Sequence, residues 1–291
     1  MEKNKSKNKN IIIDCHTHCF PDFLAPRAME GLVKTSKITP CTNGTVSGLR
    51  EVLKNANITA AFVCHIATNP KQQKNVNDFA VSINTPKENL NGKAKENSSA
   101  KKEPILFSFG SVHPHSQNIF EEVKEIKKAG LYGIKLHPDY VDINFNSKEF
   151  YPIFEAAEEE GLPIITHSGY DPVSPNKIHC TPDMLIEVKK NFKNLKLVAA
   201  HMGANQLMPE VLKVLCGEDI YIDTSMLHQN DLYFVREILL NHNPNRILFG
   251  SDIPWGNPKN QWEIISNLNL PQNLLEKLAY KNAEELFKIR I

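Results

Sequence analysis

Ile11-Ile12-Ile13-Asp14-Cys15-His16-Thr17-His18 is the stretch on which the reading of this chain turns. Its run of β-branched residues favours a short buried strand. Side chains two apart on a strand point the same way, so His16 and His18 project together from its carboxyl end. Imidazoles aimed at one point suggest a metal, but an isolated His-x-His is as readily one core histidine beside one surface histidine. Cys15 and Cys19 flank the pair, and Cys15 has the wrong strand parity for a shared zinc site. What decides between the readings is whether later strands deliver further ligands to the same end.

Apolar runs do recur down the chain, at 60–64, 105–112, 133–136, 163–166, 195–200, 220–223 and 246–250. Between them lie segments of helical period: 46–55, 72–83, 119–129 with Phe120, Val123 and Ile126 on one face, and 147–160, opening on a cap at Ser147 and stopping at Gly161. Further helices are predicted at 182–192, 207–215, 232–240 and from 261 to the end. Such alternation implies a parallel sheet covered by helices. Counting the first strand, eight units predict an α/β fold, a (β/α)8 TIM-like barrel. An open doubly wound sheet for a dinucleotide would want Gly-x-Gly-x-x-Gly after the first strand, where this chain has His-Thr-His-Cys.

The 291 residues are read as a polar, disordered tail at 1–10 and a single catalytic domain at 11–291. Within it, 85–103 is rich in Lys, Asn, Glu, Ser and Gly without an apolar period, a solvated insertion on the face opposite the strands' carboxyl ends. The segment 20–45, after the first strand, falls on the catalytic face as a lid or substrate wall, with a short helix near 25–33. Lys+Arg (34) and Asp+Glu (33) nearly cancel, giving no electrostatic reason to expect a nucleic acid or an anionic membrane. No segment has the length of a signal-peptide core or a membrane span. A cytoplasmic protein with six reduced cysteines and a small-molecule substrate is expected, and homo-oligomerisation is left open.

In a (β/α)8 barrel, chemistry gathers at the strands' carboxyl ends. Those ends carry His16 and His18, then His65, His113, Lys135 with His137, His167, His201, Asp223 and Asp252. Parity puts Lys135 and His137 on one face, and places small residues beneath two of the others, Ala199 below His201 and Gly250 below Asp252. His16, His18, His167 and Asp252 then offer three nitrogens and one oxygen, a donor set suited to zinc or another borderline divalent ion.

Several of these stretches, Ile-Ile-Asp-Cys-His-Thr-His (12–18), Gly-Ile-Lys-Leu-His-Pro (133–138), Leu-Pro-Ile-Ile-Thr-His-Ser-Gly (162–169), Val-Ala-Ala-His-Met-Gly (198–203), Ile-Tyr-Ile-Asp-Thr-Ser (220–225) and Ile-Leu-Phe-Gly-Ser-Asp-Ile-Pro-Trp (247–255), resemble the amidohydrolase superfamily. They look like its amidohydrolase-related branch, which includes aminocarboxymuconate-semialdehyde decarboxylase. The resemblance spans about 11–287. It implies that His16, His18, His167 and Asp252 are metal ligands and that His201 is an acid/base or, in two-metal members, a further ligand. It also implies either a carbamylated, metal-bridging Lys135 or an ammonium that binds an acidic substrate, the reading favoured here. Ala204 and Asn205 depart from the pattern, and His65 is not part of it. His113, His115, His179, His228 and His242 are read as surface or structural, and His137 as lying at or above the metal.

The leading expectation is a metal-dependent hydrolase with Asp252 as base and His201 as acid, cleaving a small amide, ester or lactone. The same site serves non-oxidative decarboxylation of an unsaturated or aromatic acid. An inactive ligand-binding barrel is the third reading, disfavoured by the complete ligand set.

Overall fold

The structure, a computed structural model, describes residues 11–91 and 102–291. The predicted tail at 1–10 and most of the predicted insertion lie outside the described residues.

The strands are β1 (Ile13–Thr17), β2 (Ala60–Cys64), β3 (Ile105–Phe109), β4 (Ile134–Leu136), β5 (Ile164–Thr166), β6 (Leu197–Ala199), β7 (Tyr221–Asp223) and β8 (Ile247–Leu248). They run parallel in sequence order, β1 to β3 and β4 to β8. Bridges between Gly110 and Ile134 and between Thr17 and Ile253 join the two sets into a closed barrel. The seams are drawn shut by the Lys135 amide on the Gly110 carbonyl (2.8 Å) and the Asp252 amide on the His16 carbonyl (2.7 Å).

Alternate strand residues fill the interior. Phe62, Phe107 and Phe109 pack together there, with Phe62 and Phe107 ring centres 4.9 Å apart. Phe287, at the end of the terminal helix Asn282–Phe287, plugs the amino end against Phe62 at 4.2 Å. Each such ring, taken out of water, contributes roughly 1.5–3 kcal/mol. The amino end is thus a largely apolar plug, and the cavity with its histidines opens at the carboxyl end. Outward-facing residues such as Ala61, Val63, Ile134 and Ile164 pack under the helices.

Several local expectations change. Ser147 makes no side-chain cap, and the segment after it begins as a 3₁₀ turn, Lys148–Phe150, before the helix Tyr151–Glu160. Phe120 is 37% exposed while Ile119, Val123 and Ile126 are buried, so the apolar face of Ile119–Lys128 starts one residue earlier than predicted. The segment 207–215 is one short turn, Met208–Glu210, continuing as a wider π turn. The start of the predicted insertion is ordered: Lys87–Asn91 is a 3₁₀ turn, and Leu90 packs against the core at the amino end of the barrel. The helix after β1 is longer than predicted, Ala25–Ser36. No helix of the described residues is long and apolar enough to cross a membrane.

Candidate metal centre

The site begins with an irregularity in β1. Ile13 pairs with Ala60 and Asp14 with Ala61, but the next pair is Thr17 with Val63. Cys15 and His16 therefore stand opposite Phe62 alone, a β-bulge, the device that re-aims side chains beside active sites. Through it Ile13 and Cys15 enter the barrel core while His16 and His18 also face the cavity above. The parity argument against Cys15 is thus corrected: the thiol faces inward, and what removes it from the ligand set is depth, since it lies buried in the apolar core.

His16, His18 and Asp252 come together. Asp252 Oδ1 lies 3.4 Å from His16 Nε2 and 3.2 Å from His18 Nε2, and the imidazole planes cross at 65°. Both Nδ1 atoms are occupied. That of His18 donates to the Cys64 carbonyl (2.6 Å), and that of His16 to Asp223 Oδ2 (2.8 Å), so the lone pairs stand on Nε2, where that of His16 accepts from Lys135 Nζ (3.0 Å). Donors at about 2.0–2.1 Å around a tetrahedral ion stand roughly 3.3 Å apart. The spacing, the crossed planes and the anchored Nδ1 atoms fit a divalent ion.

Asp252 and His201 both have left-handed backbones, φ 64° and 58°. Non-glycine residues take this conformation at a cost, and it concentrates at functional sites. At His201 it also corrects an expectation. Val198 faces the barrel and Ala199 the outer layer, so His201 reaches the cavity by the turn after β6 and not by sharing a face with Ala199. Gly250 does clear the space expected of it: a Cβ there would stand 3.0 Å from His16 Cβ and 3.2 Å from Asp223 Cγ.

Beneath the three donors lies a carboxylate scaffold that sequence reasoning left without a role. Asp223 Oδ1 accepts from the His201 amide (3.0 Å), the Ser225 amide (3.0 Å) and the Ser225 hydroxyl. With its proton on Asp223, Ser225 Oγ accepts from His201 Nδ1 (2.8 Å), and His201 Nε2 accepts from His167 Nδ1 (3.0 Å). Asp14 accepts from the His16 and Ser251 amides at 3.2 and 3.0 Å, tying β1 to the β8 loop. Burial pushes the Asp14 carboxyl up to about 7 against the lowering effect of those bonds. The signals for both were present: Asp14 heads the His-x-His motif, and Asp223 and Ser225 have i, i+2 spacing at a strand end.

His167 is not brought into the first group. Its ring stacks on His137 (4.4 Å, planes 10° apart), and its Nε2 faces Asp171 Oδ2 at 3.7 Å and Asp139 Oδ2 at 3.9 Å without a hydrogen bond. His137, Nε2 3.5 Å from Asp171, is stacked between Tyr140 and His167. His137, His167 and Asp171 thus form a second group close enough to hold an ion, both Nε2 atoms facing Asp171 Oδ2. Lys135, 1% exposed, stands 3.0 Å from His16 Nε2.

Burial drives the pKa of His16 well below the ordinary histidine value, helped by Lys135. It does the same for His167, helped by His137, and for His201, helped by His167. All three are neutral bases at pH 7. The Asp252 carboxyl is raised, by burial. At Asp171 burial raises, but the hydrogen bond from His137 leads the opposing effects that hold the carboxyl low. His65 is buried, its Nε2 unpartnered, its pKa pushed by burial to about 3. Outside the cavity, His179 is held between Asp139 and Asp142, and His242 bonds the Ile220 carbonyl, as structural residues do. None of the six cysteines is in a disulfide.

The family model described as Amidohydrolase matches residues 13–289. The chain belongs to the amidohydrolase family. Among solved structures, this amidohydrolase barrel is similar to 5-carboxyvanillate decarboxylase from Sphingomonas paucimobilis (15% identity, 97% of this chain and 100% of that one, TM-score 0.66). It is similar to dihydroxybenzoic acid decarboxylase from Polaromonas with bound manganese (14%, 96% and 97%, TM-score 0.65). A probable 2-pyrone-4,6-dicarboxylic acid hydrolase from Acinetobacter baumannii also matches (14%, 96% and 99%, TM-score 0.62). At these identities the likeness is one of fold. A comparison with curated protein sequences gives no match.

Proposed function

We propose that this amidohydrolase-family protein is a metal-dependent hydrolase that cleaves a C–N or C–O bond of a small amide, ester or lactone. His16, His18 and Asp252 hold a divalent ion, zinc being suited to their nitrogen and oxygen donors, and His167 completes the set on giving up its bond to His201. The observation that carries the reading is the Asp252 carboxylate set 3.2 and 3.4 Å from the two Nε2 atoms. A divalent ion at that point supplies Lewis acidity, polarising a substrate oxygen and acidifying water. Asp252, its carboxyl raised by burial, takes the proton from the attacking water. His201, oriented by Ser225 and Asp223, relays a proton to the leaving group. Lys135 binds the negative end of the substrate or product.

Lys135 favours a second reading, non-oxidative decarboxylation. A buried ammonium 3.0 Å from His16 Nε2 is placed to hold a carboxylate while carbon is protonated, and two of the similar structures are decarboxylases. In either case the enzyme is cytoplasmic. The test is a panel of esters, lactones, amides and aromatic acids, with and without chelator, scored separately for acid release and for carbon dioxide. Chelator-sensitive acid release supports hydrolysis, carbon dioxide release replaces it with the second reading, and turnover unaffected by chelator rejects both.

A further inference from the structure

The cavity above the metal centre has a volume of about 870 Å³, more than a single substituted ring needs and within the range of pockets that enclose drug-sized ligands. Its charges are few and lopsided. Among the described residues lining it there is no arginine, and Lys135 is the one lysine, sunk at the metal centre; against it stand Asp139, Asp171 and Asp252. Above this floor the wall is mostly apolar, with Thr35, Ser36, Thr68, Gln72 and Asn75 among its polar members. Phe20, Leu32, Ile38 and Phe79 line it, and Phe23 and Val173 continue it to the rim. Those last two are 88% and 43% exposed, large apolar surface left in water at the mouth.

We propose that the substrate has one anionic or carbonyl head, taken at the metal centre and Lys135, and a long apolar body without a second negative charge, lying along the wall to Phe23. This rests on the proposed function for the head alone; the body follows from the wall. A second carboxylate would enter a cavity whose one lysine is spent at the head and whose remaining fixed charges repel it. The apolar body, in turn, covers the rim residues. Dicarboxylic substrates of the kind named for two of the similar structures are therefore excluded here.

The experiment is a binding series, independent of turnover, on the zinc-loaded full-length protein. Butanoate, hexanoate, octanoate, decanoate and octanedioate are titrated by calorimetry and by the fluorescence of Trp255, which lines the cavity. Full burial gives about a fourfold fall in Kd per methylene. Octanoate should bind more than tenfold tighter than butanoate, and octanedioate at least tenfold weaker than octanoate. Phe23→Ser, at a site too exposed to endanger the fold, should flatten the slope at its long end. A slope near zero, or octanedioate equal to octanoate, overturns the proposal. A butanoate Kd unchanged by chelation counts against the metal-centred function instead, because it reads the head and leaves the slope untouched.

Discussion

Replacing Asp223 by asparagine changes no volume and leaves every proposed metal donor in place, yet it should cost most of the metal affinity. Three donors converge on Oδ1 of Asp223, from His201, from Ser225 and from the Ser225 hydroxyl, so the amide oxygen of the variant must stay there. Its NH2 group then replaces Oδ2, 2.8 Å from His16 Nδ1. Donor would face donor unless His16 moves its proton to Nε2, and that takes away the lone pair that faces Asp252 and His18. Carboxylate partners of ligating histidines are worth about 10–100-fold in metal affinity. The expected loss is therefore ~1.4–2.7 kcal/mol. Competition titration with a fluorescent chelator measures it, with near-UV circular dichroism showing that the barrel is intact. A variant that folds and holds zinc within twofold of the parent would refute the role given to Asp223 and to the tautomer of His16.

Asp252→Asn should lose about 10²–10⁴ in kcat through the lost base while keeping most bound metal, because an amide oxygen still ligates; full activity would remove Asp252 from the chemistry. His201→Ala should spare the metal content and lower kcat, and loss of an equivalent of metal on elemental analysis would instead make His201 a ligand. His65 has a folded pKa of about 3, below that of the unfolded chain, so the unfolded state takes up the proton first as pH falls. The stability its neutral ring contributes is complete above about pH 6.5 and is lost toward pH 3, at up to ~1.4 kcal/mol per pH unit. His65→Phe should flatten that part of the profile in denaturant midpoints between pH 6.5 and 4, and an unchanged slope would contradict the burial argument.

The barrel was legible because its signals are periodic. Eight apolar runs separated by helical stretches survive small errors at each boundary, and the structure moves most of those boundaries by only a residue or two. His16 and His18 were legible as a pair because their i, i+2 spacing survives the bulge, while Asp252 was legible from its place after the last strand and not from strand parity. What alternation does not encode is an interruption of itself. The bulge at Cys15 and His16 and the left-handed turn at His201 are set by contacts with Phe62 and Asp223, which come from other strands. Asp14 and Ser225 bond to the histidines of the candidate site, so a search for donors at strand ends passed them by, and it found Asp223 without giving it a role. His167 was read as a ligand from its strand end, but its ring orientation depends on His137 and His201, partners 30 and 34 residues away that no local pattern fixes.

The bulged first strand and the β8 loop are proposed to form a metal centre. Its most direct test is elemental analysis of the protein, purified, loaded with zinc or manganese and dialysed, beside the His16→Ala/His18→Ala double variant under the same treatment. The parent should retain about one tightly bound equivalent. The double variant should retain none while giving the same far-UV and near-UV spectra, since these side chains sit above the apolar core. Stoichiometric metal in the folded double variant would contradict the account.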